Sequence, residues 1–121
     1  MKKHIMKLFP SPFRMVAEGK KTIELRLYDE KRKMISVGDT ITFVNIEDLS
    51  AVLNVIVVEL FVFNSFDELY QKLPLLECGY TEKDINMATA SDMELYYSKE
   101  QQRQYGVVGI KVSLKKESVY E

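Results

Sequence analysis

The sequence predicts an α+β domain in which a small mixed β-barrel is closed by the last strand. Apolar side chains alternate with polar ones, or run continuously, through most of the first 63 residues and again over 106–114, a pattern typical of strands. Between them, residues 65–101 contain four segments in which Ser or Thr is followed three positions later by an acidic residue or Gln, as at helix starts. Strands, a helical insert and a final strand together indicate α+β.

The first elements are a short strand over 4–9 and a helix. Ser11 is the predicted N-cap, Pro12 occupies the first helical position, and the helix runs through Glu18. Gly19 ends it, because a residue without Cβ adopts a positive φ at the lowest cost.

The later elements follow from apolar runs and helix starts. The run at 51–63 is continuous enough to predict a buried central strand, and 28–33 is a charged segment with room for one helical turn. The other predicted strands cover 21–27, 40–45 and 106–114, a polar turn covers 47–50, and predicted helices begin at Ser65, Thr81, Ser91 and Ser98.

Length and composition restrict the class of protein. A chain of 121 residues with 46% hydrophobic residues predicts one domain over 1–121 with one core. The longest apolar run, 55–63, is interrupted by Glu59, so no membrane span is expected. With a single cysteine and no secretory signal pattern, the predicted location is cytoplasmic.

Charge is unevenly distributed along the chain. Residues 1–35 hold ten Lys or Arg and four Asp or Glu, a balance of +6, whereas residues 36–121 hold seven and fourteen, a balance of −7. The excess at the start could form a patch for phosphates, or the two parts could neutralise each other in the fold.

The segment Gly19–Arg26 is the main candidate for a binding site. On a strand, Ile23 shares one face with Leu25 and Leu27, and Glu24 shares the other with Arg26, while Lys21 precedes the strand. These charged side chains could hold an anionic or polar ligand. They could equally form a solvent-exposed strand face, with Glu24 and Arg26 as a structural pair.

The spacing G-x-K-x-x-E-x-R, formed by Gly19, Lys21, Glu24 and Arg26, resembles the motif of the ASCH domain family. The resemblance implies a PUA-like β-barrel. It spans residues 13–112 and also includes the segments 28–32, 37–43, 93–98 and 105–110.

ASCH domains are thought to bind RNA or nucleotides, so the resemblance implies RNA, a nucleoside or a nucleotide as the partner. Lys21 and Arg26 would then contact phosphate or carbonyl groups, and Glu24 would accept hydrogen bonds from a base. A tyrosine would stack on the base, with Tyr28 and Tyr105 as the first candidates and Tyr96, Tyr97 and Phe13 as others.

Two alternatives remain open, and the sequence does not decide whether the protein is an enzyme. A related branch hydrolyses N4-acetylcytidine with a lysine, a threonine and a distant glutamate. Lys21 matches that lysine, but Glu24 stands where the threonine would be, and Thr22 matches a different position. Glu24 would then have to activate water directly. The other alternative is a protein-interaction module with a structural Glu24–Arg26 pair.

Other chemistry has little support in the sequence, and no metal or cofactor is expected. The lone His4 and Cys78 lie 74 positions apart, too few ligands for a structural zinc site. Cys78 has no identifiable base near it, and the five glycines form no phosphate-binding loop.

Overall fold

The computed structural model describes residues 1–115, which form five strands, four α-helices and three short 3-10 helices. The strands are β1 (Lys3–Leu8), β2 (Ile23–Leu27), β3 (Thr40–Asn45), β4 (Asp48–Phe63) and β5 (Val107–Leu114). The helices are α1 (Pro10–Ala17), α2 (Glu30–Lys33), α3 (Phe66–Lys72) and α4 (Lys99–Tyr105). The 3-10 helices cover Leu75–Cys78, Ile85–Met87 and Ala90–Leu95.

The strands form one curled sheet in the order β1-β3-β4-β5-β2, which makes a half-barrel with helices around it. Only β1 and β3 pair in parallel, and the other neighbours are antiparallel. The predicted α+β class and PUA-like barrel architecture are confirmed. The last strand, β5, lies inside the sheet between β4 and β2, so β1 and β2 are its two edges.

The curl of the sheet brings these two edges towards each other. Arg26 on β2 donates a hydrogen bond from Nη2 to the carbonyl oxygen of Lys7 on β1, at 3.0 Å. We call the gap between the outer edges of β1 and β2 the seam. In a closed barrel, β1 and β2 would be hydrogen-bonded to each other along this gap.

The core has two parts, one on each face of the sheet. Glu24 pairs with Ile110 and Arg26 with Val108, and both of these apolar partners belong to the cluster inside the half-barrel. Because directly paired residues share a face, the charged side chains of β2 also point into the barrel. The apolar side chains of β2 pack on the opposite face against the helical insert; they are Ile23, Leu25 and Leu27.

Two element boundaries near the start of the chain differ from the prediction. The N-cap of α1 is Phe9, not Ser11, because Pro10 occupies the first helical position and Phe13 N–H donates to the Phe9 carbonyl. Pro10 also favours the extended backbone of Phe9, whose ψ is 157°. The strand β2 begins at Ile23 rather than at 21, since Thr22 N–H donates to the insert at Glu77 O instead of to β5.

The strand β4 is central, as predicted, but much less buried than its apolar sequence suggested. It pairs with β3 along its first part and β5 along its second, with a bulge near Val58. Val55 and Val57 are buried, whereas Val52, Val58 and Val62 are 43–49% exposed. The strand also starts at Asp48, inside the predicted polar turn, because Asp48 pairs with Asn45 across a tight hairpin.

The helical insert contains the predicted α3 and α4 but shorter, shifted elements between them. Thr81 starts a turn, and a 3-10 helix follows only at Ile85. The next 3-10 helix is capped by Thr89 rather than Ser91, with Asp92 completing the capping box. Within residues 1–115, no helix combines the length and apolar character needed to cross a membrane.

Asp39 ties the start of β1 to the rest of the sheet. Its carboxylate accepts hydrogen bonds from the His4 ring at 2.8 Å, Ser36 N–H at 3.0 Å and Lys2 N–H at 3.2 Å. The hydrogen bonds from His4 and Ser36 lower the pKa of Asp39 to about 2. His4 therefore has a structural partner here.

Candidate functional site

A cavity of about 400 Å³ opens at the seam. The end of β1, the start of α1, β2 and the helical insert all contribute to its lining. This volume lies within the range of small-molecule sites in proteins, about 300–1,000 Å³. The half-barrel therefore leaves a cavity of ligand size at the place where its sheet does not close.

Three charged side chains from the motif lie together in this cavity. Lys21 Nζ is 2.7 Å from Glu24 Oε1, and Arg26 Nε is 2.7 Å from Glu24 Oε2. The side chains of Lys21, Glu24 and Arg26 are only 12%, 6% and 14% exposed, respectively. The carboxylate thus holds one cation on each oxygen. We call these three residues the charged cluster.

The charged cluster keeps Glu24 ionised. Burial alone would raise the pKa of the Glu24 carboxyl, but the charges and hydrogen bonds of Lys21 and Arg26 outweigh it and lower the pKa below the ordinary 4.5. Burial would likewise lower the pKa of Arg26, and the Glu24 charge reverses this and raises it. Glu24 and Arg26 are therefore both charged at neutral pH.

The insert positions Lys21. Thr22 N–H donates to Glu77 O at 2.9 Å, and Thr22 Oγ1 donates to Glu77 Oε1 at 2.8 Å. Next to this contact, Gly79 has a φ of +112°, and a Cβ there would lie 3.4 Å from Lys21 Cδ. The glycine allows this backbone conformation while the lysine stem lies against it.

Four tyrosines of the insert form the wall opposite β2. They are Tyr70, Tyr80, Tyr96 and Tyr97. Tyr80 is central: its hydroxyl donates to Asp92 Oδ2 at 2.8 Å and lies 2.6 Å from the Tyr70 hydroxyl. Burial and these hydrogen bonds raise the pKa of Tyr80, while Tyr80 and the backbone of Thr89 lower the pKa of Asp92. The hydroxyls thus stay neutral beside an ionised carboxylate.

The aromatic rings differ in their exposure. Tyr96 is 59% exposed at the cavity mouth next to Leu95, which is 85% exposed. Tyr97 is half-buried and stacks on Phe66 at a centroid distance of 6.1 Å. Burial raises the pKa of Tyr97, and the nearby Arg26 charge opposes this. The wall therefore combines fixed inner rings with an accessible outer one.

The predicted site residues divide into two groups. Lys21, Glu24 and Arg26 meet in the cavity, whereas Tyr28 and Tyr105 are not part of its lining. Tyr28 packs against the core inside the half-barrel, with Lys33 Nζ 5.7 Å from its ring centroid. Tyr105 ends α4 and packs against the other core cluster.

Sequence reasoning missed Tyr70, Tyr80 and Asp92. Their contacts depend on the path of the 3-10 segments, and no local spacing links Tyr80 to Asp92 twelve positions later. The capping-box pattern at Thr89–Asp92 could have identified Asp92 as an ordered carboxylate, but not its bond to Tyr80.

Cys78 also borders the cavity, as a buried thiol. Burial raises its pKa to about 12, with Lys21 partly opposing the effect. At neutral pH it is therefore protonated and a poor nucleophile. Within residues 1–115, no cluster of three or more His, Cys, Asp or Glu side chains could hold a metal ion.

Comparison with protein families decides the affiliation of the chain. The family model described as "ASCH domain" matches residues 6–116. The chain belongs to the ASCH domain family. This confirms the resemblance carried by Gly19, Lys21, Glu24 and Arg26. A comparison with curated proteins found no match.

Solved structures have the same fold. A hypothetical protein, PH0355, is 31% identical with a TM-score of 0.76, over 95% of this chain and 100% of that one. Protein PF0455 from Pyrococcus furiosus is 32% identical with a TM-score of 0.69, over 94% and 97%. A point mutant of ZmASCH from Zymomonas mobilis, 13% identical with a TM-score of 0.65 over 93% and 69%, shares the fold.

Proposed function

We propose that this ASCH domain binds a single nucleobase in the seam cavity, carried by RNA or by a free nucleoside or nucleotide. The observation that carries the proposal is the charged cluster of Lys21, Glu24 and Arg26 inside a cavity of about 400 Å³ with a wall of tyrosines. Bases in unpaired RNA are bound in this manner, by stacking on aromatic rings and by hydrogen bonds to their edges.

The charged cluster retains hydrogen-bonding capacity for such a ligand. Lys21 has three donors and uses one on Glu24, so it can also donate to a carbonyl oxygen of a base or to a phosphate. The Glu24 oxygens each have a second lone pair and can accept from an exocyclic amine. Arg26 has fewer free donors for a ligand, because it donates hydrogen bonds to both Glu24 and the Lys7 carbonyl.

The tyrosine wall supplies the stacking surface. Tyr96 at the mouth is accessible to an incoming base, and stacking of this kind contributes about 1–3 kcal/mol per base. Lys7 also lines the cavity from the β1 side and is exposed, which places a cation where a phosphate could lie. Base and phosphate would therefore be held by different parts of one site.

A thermal-shift screen tests the proposal with nucleosides, N4-acetylated nucleosides, nucleotides and short single-stranded RNAs. A ligand at one hundred times its Kd should add about 2.7 kcal/mol to the free energy of unfolding. Lys21→Ala and Glu24→Gln should abolish the shift. Lys20→Ala is the matched control, since its side chain is 68% exposed and, among residues 1–115, pairs with Glu18 alone. Unchanged shifts in both site variants would refute the proposal, as would the absence of any shift.

Binding is favoured over hydrolysis because of the state of Glu24. A general base works best with a pKa near the operating pH, and that of Glu24 is lowered. Thr22 is bonded to Glu77. Turnover of N4-acetylcytidine that is lost in Lys21→Ala would nevertheless establish the amidohydrolase alternative. If Arg26→Ala lowers stability and no ligand is found, the interaction-module alternative would be preferred.

A further inference from the structure

The backbone of Leu25 offers a hydrogen-bonding edge that the sheet does not use. The residues that flank β2 are bonded to the neighbouring chain segment: Val112 N–H donates to Thr22 O, and Tyr28 N–H donates to Gly106 O. In an antiparallel ladder the residues bonded to one partner strand alternate. Glu24 and Arg26 are therefore bonded to β5, whereas the peptide groups of Leu25 point to the outer edge of β2.

That outer edge is one side of the seam, and Leu25 lines the cavity. Its side chain is accounted for elsewhere, because it packs among the core residues against the insert, close to Gly109. Among residues 1–115, no side chain or loop backbone group hydrogen-bonds to Leu25 N–H or C=O. These two groups lie side by side, and the residue is only 7% exposed.

The opposite edge shows that such groups do receive partners across the seam. In β1, Thr40 N–H donates to Lys2 O and Ile46 N–H donates to Leu8 O, so the peptide groups of Lys7 point away from β3. Lys7 O is the atom that accepts the bond from Arg26. A side chain crossing from β2 thus occupies the β1 edge, while the edge at Leu25 remains available to a ligand.

We propose that the Leu25 N–H and C=O recognise the Watson–Crick edge of the bound base. Each base has a donor next to an acceptor on that edge, such as N4–H and N3 of cytosine or N3–H and O4 of uracil. This matches one acceptor beside one donor on the strand. This inference rests on the proposed function. It restricts the ligand to a base whose Watson–Crick edge is free, as in single-stranded RNA or a free nucleoside, and it excludes duplex RNA.

The charged cluster and the backbone groups of Leu25 would contact different parts of the same base. A base whose edge pairs with Leu25 lies beside Glu24 and Arg26, its neighbours on the strand, and Lys21 can donate to a second carbonyl such as O2 of a pyrimidine. Leu25 is then a specificity-determining residue through its backbone, and its side chain has no part in recognition.

The test replaces one backbone N–H without changing a side chain. The α-hydroxy analogue of leucine at position 25 converts the amide to an ester and removes the donor. The same analogue at Leu27 is the matched control, since Leu27 shares the outer edge but does not line the cavity. Neither N–H takes part in the ladder, so both variants should fold. Isothermal titration with uridine, cytidine and their 3-methyl derivatives measures the Kd.

We expect the ester at Leu25 to weaken binding about tenfold and the ester at Leu27 to leave it unchanged. The 3-methyl group blocks the base edge, so 3-methyluridine and 3-methylcytidine should bind at least tenfold more weakly than their parents. If uridine or cytidine binds, and neither the ester at Leu25 nor the 3-methyl group weakens binding, this inference is refuted while the proposed function stands. If neither parent nor the RNAs of the screen bind, both are refuted.

Discussion

Glu24 holds two cations, and the side chains of all three residues are at most 14% exposed, so removal of the Glu24 charge should destabilise the protein strongly. In Glu24→Gln the amide oxygen can accept from only one of Lys21 and Arg26, while the amide N–H groups face the other. Removal of one partner from a buried ion pair typically costs about 3–5 kcal/mol. Because the two cations are 12% and 14% exposed, we expect the lower end, about 3 kcal/mol, or about 10 °C in Tm.

Urea unfolding of wild type, Glu24→Gln, Lys21→Met and the double variant measures this effect. Lys21→Met leaves Glu24 paired with Arg26 and should cost less. In the Lys21→Met background only Arg26 remains, and the Gln amide oxygen can accept from it, so Glu24→Gln should cost about 1–2 kcal/mol less there. Lys20→Met, at an exposed position, is the control and should change stability little.

The same comparison has a predicted dependence on pH. The folded pKa of Glu24 lies below 4.5, so acidification protonates the unfolded chain first. The advantage of wild type over Glu24→Gln should be complete at pH 7 and shrink as the pH falls below 4.5. A Glu24→Gln protein within about 0.5 kcal/mol of wild type at pH 7 would refute the reasoning.

Three further predictions concern the surroundings of the site. Asp39→Asn should lower the Tm at pH 7. In melting curves the difference from wild type should disappear as the pH falls from 3.8 to about 2, because the carboxylate of folded Asp39 has a pKa of about 2 and stabilises the fold only while it is ionised. Gly79→Ala should cost about 1–3 kcal/mol in urea unfolding, because its φ of +112° strains a residue that has a Cβ. Ligand affinity should stay unchanged, since the added Cβ would make only an ordinary van der Waals contact of 3.4 Å with Lys21 Cδ; an unchanged stability would contradict the assigned backbone conformation. Native Cys78 should react with a disulfide reagent at pH 8 at least about a hundredfold more slowly than the urea-unfolded chain, since its pKa is about 12; equal rates would contradict the assigned burial.

The sequence predicted much of the fold because its elements have strong local signals. The strand 40–45 agrees with the structure at both ends, and Ser65 and Ser98 cap α3 and α4 as expected. The predicted start of α1 was too late, because Pro10 and Pro12 both suit a first helical turn and Pro10 occupies the first position.

The alternating pattern placed Glu24 and Arg26 on one face of the strand, with Lys21 just before it, yet it could not say where that face points. A strand with one apolar and one charged face normally exposes the charged one. Here the charged face lies inside the half-barrel, because Glu24 compensates both cations and the apolar face packs under the insert. The burial of β2 thus depends on contacts with distant parts of the chain, which the local sequence pattern does not show.

The seam itself has no local signal. It exists because β1 pairs in parallel with β3 while β5 enters between β4 and β2, and both pairings join residues far apart in sequence. The tyrosine wall likewise depends on the path of three short 3-10 helices, which local patterns placed only approximately.

An amide NMR titration with the nucleoside or RNA that gives the largest thermal shift tests the central claim most directly. Binding in the seam predicts that the largest shift changes fall on Lys21, Glu24, Leu25 and Tyr97, and that Lys21→Ala removes them. Changes confined to the outer face of β3 and β4, or changes that persist in Lys21→Ala, would contradict the account.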